Sequence, residues 1–406
     1  MARLLFLAHR LPYPPNKGDK VRSYHLLRHL AARHEVHLGT FIDDPDDEPH
    51  LPAVRALCAS VHVSRIRPVW ARSRSVWGLA RGEALTLAYY RDGSLGRWVD
   101  ELMRRDRIDA TIVFSSAMAP YAASLRLPML VDFVDVDSAK WAQYGSERPW
   151  PLSWLYQREG RRLLEYESLV ARRAAACFFV TSKEVELFES LAPDCAGLAC
   201  AIGNGVDAEY FAPGDALVSP FSDSEIPIVF TGAMDYWPNV DAVTWFADAM
   251  LPALRARWPA TRFHVVGRSP STAVQALRSA GVNVTGTVPD VRPYLQHAAV
   301  VVAPLRLARG VQNKILEAMA MARPVVAASA CVEAIDATPG SELLPARDRD
   351  DYLAALFALI ADPQRARAIG QAARARVVGD YSWPARLRPL DRRIDDVLAA
   401  RASAAS

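Results

Sequence analysis

Pro304-Leu305-Arg306-Leu307-Ala308-Arg309-Gly310-Val311-Gln312-Asn313-Lys314-Ile315-Leu316-Glu317-Ala318-Met319-Ala320-Met321-Ala322-Arg323-Pro324-Val325-Val326 is the stretch that decides the fold. Apolar runs at 299–303 and 324–328 bracket it, so it reads strand, glycine turn, helix, turn, strand. A helix between two Val-rich runs predicts parallel strands covered on both faces. Gly310 predicts the opening of a helix over 311–322, whose free N–H groups suit a phosphate. Gln312, Asn313 and Lys314 fall in its first turn. Glu317 comes about one turn later and shares their face. A carboxylate there suits the two hydroxyls of a ribose.

The same alternation runs outward in both directions. Strands are expected at 3–9, 36–41, 61–66, 110–114, 128–133, 177–181 and 198–202, and again at 227–231, 262–266, 282–285, 299–303 and 324–328. Helical periodicity lies between them, with one long helix expected at 240–258. The pattern starts twice, which predicts an α/β protein of two doubly wound, Rossmann-like domains facing across a cleft. Ala212-Pro213-Gly214-Asp215 opens a Pro-, Ser- and Asp-rich stretch up to Glu225 that suits a linker. The expected domains are 1–212 and 213–384, with a C-terminal helix at about 385–400 packing back on the first.

Length and composition agree. The 406 residues suit two to three domains, and 51% hydrophobic with 23% charged residues excludes a disordered chain. No uncharged run reaches the ~18 apolar residues of a spanning helix; the nearest, 110–125, holds three Ser and a Pro. Arg3 leads straight into strand-like Leu4-Leu5-Phe6-Leu7-Ala8, without a signal-peptide pattern. A cytoplasmic location is expected, with contact to the inner membrane face from that side. The five cysteines are scattered without a Cys-x-x-Cys pair, and Cys177 reads as a core residue. A net charge of +3 gives no nucleic-acid footprint.

Other loops follow strands where ligands bind in such sheets. Pro12-Tyr13-Pro14-Pro15-Asn16-Lys17-Gly18-Asp19 runs from the first strand into a helix, with Lys20 and Arg22 beyond it adding positive charge. Thr231-Gly232-Ala233-Met234-Asp235-Tyr236-Trp237-Pro238-Asn239 holds the equivalent place in the second domain, and Gly232 permits close approach of a ligand. Tyr236 and Trp237 either stack on a ring or pack. Arg268 ends a central strand with the planar fork that suits phosphate. Asp132-Phe-Val-Asp135-Val-Asp137 also follows a strand. These carboxylates can orient a hydroxyl, cap the next helix or hold a divalent cation; two nucleotide-type halves argue against the cation, and no metal site is assigned.

The 304–326 segment, together with Asn204-Gly205-Val206-Asp207 and Phe211-x-Pro213, resembles the retaining nucleotide-sugar glycosyltransferases of the GT4 type, with the GT-B fold. The resemblance spans nearly the whole chain. Pro-Pro-Asn-Lys-Gly-Asp-Lys, Val134-Asp-Val-Asp-Ser-Ala-Lys-Trp141, Gly-Ala-Met-Asp-Tyr-Trp-Pro-Asn-Val and Gly-Val-Gln-Asn-Lys-Ile-Leu-Glu are similar to a narrower branch, the sugar transferases of exosortase/PEP-CTERM exopolysaccharide systems. The resemblance implies a nucleotide-diphosphate sugar as donor substrate, no separate cofactor, and a saccharide or lipid-linked acceptor. The residues read above give expected donor contacts from Gly232, Arg268, Arg309, Gly310, Gln312, Asn313, Lys314 and Glu317, and the resemblance implies Glu317 on the ribose. It implies acceptor contacts from Asn16, Lys17, Gly18 and Asp19, and acceptor-side catalytic roles for Asp132 or Asp135. Two departures stand out. The first of the family's two donor-site glutamates falls on Arg309, and its Arg and Lys after the second domain's first strand fall on Ala233 and Asn239. Arg268, Arg309 and Lys314 are then the replacement cations. The implied mechanism is front-face attack with retention, in which the leaving diphosphate takes the acceptor proton. A nucleotide-sugar epimerase of the same fold and a non-catalytic sugar-nucleotide-binding protein are the competing readings.

Two segments combine arginine with tryptophan: 65–81, with Trp70 and Trp77, and 148–162, with Trp150 and Trp154. Basic residues attract anionic lipid and Trp favours its interface, which makes an anionic inner-leaflet surface an expected partner. An ordinary solvated basic face is the other reading.

Overall fold

The structure is a computed structural model describing residues 1–15, 18–66, 78–79, 81–146, 148–306 and 311–405. The chain forms two units, Met1–Asn204 with Arg386–Ser406, and Gly205–Ala385.

The first unit is built on seven parallel strands, β1 (Arg3–Ala8), β2 (Glu35–Ile42), β3 (Ser60–Arg65), β4 (Ala110–Phe114), β5 (Met129–Val134), β6 (Ala176–Phe179) and β7 (Ala199–Ala201), in the order β3-β2-β1-β4-β5-β6-β7. Leu4 to Ala8 are all fully buried, as a central strand covered on both faces requires. Helix α1 (Gly18–Ala31) follows β1 and buries Leu26, Leu27 and Leu30. It also buries Lys20 and Arg22, which meet Asp47 at 2.5 Å and Asp132 at 2.8 Å. These two cations therefore serve internal pairs and add no charge to the loop before them. Helices α3 (Asp137–Ser146) and α4 (Leu152–Arg173) form a hairpin. Gly160 lets them touch, because a Cβ there would lie 2.9 Å from the Ser138 carbonyl oxygen. Beside Gly160, buried Glu159 caps the short helix α2 (Leu85–Tyr89), accepting from the backbone N–H of Leu85 at 2.6 Å and of Thr86 at 2.9 Å.

The second unit holds β8 (Ile226–Thr231), β9 (Thr261–Val266), β10 (Val282–Gly286), β11 (Val300–Ala303), β12 (Val325–Ala328) and β13 (Leu344–Ala346), ordered β10-β9-β8-β11-β12-β13 and again parallel. Strand β13 has no counterpart in the sequence reading. Its three residues include Pro345, which cannot donate to a ladder and is tolerated at a sheet edge. The helix expected at 240–258 begins earlier, as α5 (Trp237–Trp245), because Pro238 suits a first turn. It passes through a π turn (Phe246–Met250) into Leu251–Arg257. Pro252 lacks the N–H that a regular helix would use, and the widened turn accommodates it.

The chain passes between units at Asn204 and again at Ala385. Residue 213, the expected division, falls inside the second unit. The preceding residues are held there, with Val206 N–H donating to the Tyr381 carbonyl at 2.8 Å and Arg374 to the Phe211 carbonyl at 3.1 Å. Helix α7 (Arg388–Ala405) belongs to the first unit: Asp391 meets His29 at 2.8 Å, and Arg401 donates to the Ile108 carbonyl at 2.9 Å.

Candidate functional site

In the second unit the strand order reverses between β8 and β11. Ligands bind at the carboxyl ends of strands at such a point. The loops after β8 and β9 are drawn together there. Gly232 N–H donates to the Val266 carbonyl at 3.0 Å and Met234 N–H to the Arg268 carbonyl at 2.8 Å. Gly232 and Gly267 have φ of 157° and 150°, and a Cβ on Gly267 would overlap the Gly232 carbonyl oxygen. The result is a cavity of about 620 Å³ lined by Gly232, Asn239, Arg268, Thr287, Gln312, Asn313, Lys314 and Glu317 among others.

Helix α6 (Asn313–Ala320) opens onto this cavity. Its apolar side buries Ile315, Leu316, Ala318 and Met319, which leaves Lys314 and Glu317 on the cavity wall. Lys314 Nζ donates to Asn239 Oδ1 at 2.6 Å and lies 4.1 Å from the Phe230 ring centroid. Burial pulls the Lys314 amine down to about 7 against the attraction of Glu317, and pushes the Glu317 carboxyl up to about 7 against the attraction of Lys314. A site that leaves a lysine and a glutamate both short of counter-charge is prepared for a ligand that offers anionic oxygens to one and hydroxyls to the other. Arg268 is exposed at the rim. Arg309 and Gly310 lie outside the described residues. Tyr236 and Trp237 are both exposed and neither lines the cavity. Asn239 was missed as a contributor; its place shortly after the glycine of a strand–turn–helix was the available signal.

The first unit separates the acidic residues. Asp132 does not present a free carboxylate: it is 5% exposed, one oxygen takes Arg22 at 2.8 Å and the other the Val134 N–H at 3.1 Å. Asp132 is thus tied into the interior by Arg22, whereas Asp135 is the more accessible of the two aspartates expected on the acceptor side. Asp135 is half-buried and meets Lys140 at 2.6 Å, with Asp137 3.3 Å from the same ammonium. Burial raises the Asp137 carboxyl against the pull of Lys140. Val134, between Asp132 and Asp135, has φ of 70°, a strained value for a β-branched residue. Asp19 meets His9 at 3.4 Å and Arg10 at 3.0 Å, and the His9 hydrogen bond, aided by Arg10, holds its carboxyl well below the usual range despite burial. His9 also stacks on Phe114. Asn16 and Lys17 lie outside the described residues, and Gly18 is the exposed first residue of α1. Asp137 belongs to the acidic cluster read from the sequence; His9 carried no motif and could have been found only as the polar residue directly after β1. Among the described residues no group of three or more His, Cys, Asp or Glu is placed to share a metal ion.

Residues 225–362 match the family model described as Glycosyl transferases group 1. No curated protein matches the chain in sequence. Among solved structures it is similar to sucrose-phosphate synthase of Thermosynechococcus elongatus, at 17% identity and TM-score 0.61 over 98% of this chain and 100% of that one. It is also similar to Anabaena HepE in complex with UDP, at 14% identity and TM-score 0.63 with the same coverage. A glycosyltransferase of Rickettsia africae matches at 12% identity and TM-score 0.61, over 98% of each chain. The fold is thus the two-domain, Rossmann-like GT-B fold expected from the sequence. The group 1 domain that contains the cavity marks the chain as a glycosyltransferase.

Proposed function

We propose that this enzyme transfers a sugar from a nucleoside-diphosphate donor, with retention, to a saccharide or lipid-linked acceptor of exopolysaccharide assembly. The observation that carries the reading is the cavity at the β8/β11 reversal, where Lys314 and Glu317 stand on one helix turn beside a side-chain-free glycine floor. Lys314, Arg268 and the first turn of α6 meet the diphosphate, and Glu317 accepts the ribose hydroxyls. Catalysis is then positioning and stabilisation of leaving-group charge, with the diphosphate accepting the acceptor proton and no metal needed. Asp135, Asp137, Asp19 and His9 are the residues to meet the acceptor. The exosortase-associated branch remains our reading of the four quoted motifs.

A membrane surface fits the α3–α4 hairpin. Its tip exposes Trp150, which is 81% accessible, with Tyr144, Leu152, Trp154 and Arg148. Trp and Tyr favour the bilayer interface. No helix among the described residues is long and apolar enough to cross a membrane. The other basic segment lies largely outside the described residues; Arg65 at its start is ion-paired with Glu48.

The test is donor turnover. Purified enzyme is incubated with UDP- and GDP-sugars, with and without EDTA, and released nucleotide is measured with the product anomer. Slow EDTA-insensitive release of UDP or GDP and a product with the anomeric configuration of the donor support the reading. Activity abolished by EDTA and restored by Mg²⁺ would move the chemistry to Asp135 and Asp137.

A further inference from the structure

The loop after β8 runs from Gly232 to Trp237 without a lysine or arginine, although it forms the floor of the cavity. Among the described residues the lining cations are Arg268, exposed at the rim, and Lys314. Lys314 comes from α6, on the other side of the strand reversal, and reaches over to the β8 loop.

What holds it there is Asn239. This side chain is 6% exposed, and both ends of its amide are committed. Nδ2 donates to the Ala233 carbonyl at 2.8 Å, inside the β8 loop itself. That bond leaves Oδ1 as the end that accepts from Lys314 Nζ at 2.6 Å. Gly232 completes the arrangement, since a Cβ there would lie 2.7 Å from Asn239 Nδ2 and 3.0 Å from Lys314 Nζ. An ammonium has three N–H donors, and Asn239 takes one.

We propose that Asn239 is a positioning residue that fixes the Lys314 ammonium against Gly232, so that the charge the β8 loop lacks is delivered to the distal phosphate of a nucleoside diphosphate from α6. The proposal rests on the donor-site reading above and adds to it a division of labour. Asn239 orients, Lys314 neutralises, and the glycine keeps their meeting point open. The two side chains meet at hydrogen-bond distance, so the proposal predicts that a lysine at 239 facing an asparagine at 314 also puts a cation at this junction.

The experiment titrates UDP, GDP and their monophosphates into the wild-type chain and keeps the tighter diphosphate as probe. The readout is the ratio of diphosphate to monophosphate affinity, which a merely structural role for Asn239 would leave alone. Asn239→Ala and Lys314→Ala should each lower this ratio about tenfold, the scale of one charge-assisted hydrogen bond. The double variant should be no worse than Lys314→Ala, because the two act through one contact. The exchange variant Asn239→Lys/Lys314→Asn should restore the ratio to within about threefold of wild type. It also carries the test if Asn239→Ala does not fold. An unchanged ratio in Asn239→Ala, losses that multiply in the double variant, or an exchange variant as poor as the double would overturn the proposal while leaving the donor site standing. Failure of the wild type to bind either diphosphate would overturn the donor site itself, and the proposal with it.

Discussion

Replacing Lys314 by Met should make the unliganded enzyme more stable. Met keeps an unbranched apolar stem in the same space and removes the charge. In the fold the Lys314 amine sits near 7 instead of its ordinary 10.5. At about 1.4 kcal/mol per pH unit this is a ceiling of ~5 kcal/mol held against folding at neutral pH. The contacts with Asn239 and Phe230 return about 1 kcal/mol each, and cavity water screens part of the rest. The expected gain is ~2 kcal/mol, or about 4–8 °C in Tm for a domain of this size. The pH dependence follows from the same displacement. Between about 7 and 10.5 the unfolded chain holds the proton and the folded chain does not, so wild-type stability falls as pH drops through that window. Below 7 both states are protonated and the cost is complete. The Lys314→Met advantage should therefore be full at pH 6, shrink above 7 and vanish near 10.5. Thermal unfolding followed by tryptophan fluorescence at pH 6 and pH 9.5 measures it. No gain at pH 6, or the same gain at both pH values, would refute the reasoning.

Three further outcomes are expected. Glu317→Ala should weaken binding of nucleoside diphosphate in an equilibrium titration without lowering Tm, since its carboxyl is held in an unfavourable state before ligand arrives. Asp132→Ala strands Arg22 in the interior and should cost about 3–5 kcal/mol in urea unfolding, whereas Asp135→Ala, breaking a partly exposed pair, should stay within about 1 kcal/mol; equal costs would show that burial does not separate the two aspartates. Trp150→Ala/Trp154→Ala should reduce pelleting with anionic vesicles, including the part that survives high salt, and unchanged pelleting would remove the α3–α4 tip from the membrane reading.

The doubled α/β pattern was legible because its signals are local. Short Val-rich runs, a glycine at a strand end and the spacing of Lys314 and Glu317 on one helix turn can all be read within a few residues. What escaped reading depends on partners far away in the chain. Asp132 looked like a loop carboxylate until Arg22, 110 residues earlier, met it in the core. Asn239 looked like a departure from a basic position until Lys314, 75 residues later, reached it. Strand β13 escaped because three residues with a central proline have no periodicity to read.

The closing helix has a consequence for the order in which this protein is made. The second unit is one uninterrupted stretch, and its two ends pair with each other where Val206 meets Tyr381 and Ser382. The first unit, by contrast, draws in residues from 386 onward: α1 lacks Asp391, and the residues leading into β4 lack Arg401, until those residues have been synthesised. In chain order the later-encoded unit is therefore complete before the earlier-encoded one has received α7, the reverse of the usual amino-terminal-first sequence. A released chain truncated after Ala385 should keep a second unit as resistant to protease as in the full chain, while its first unit is cleaved more readily.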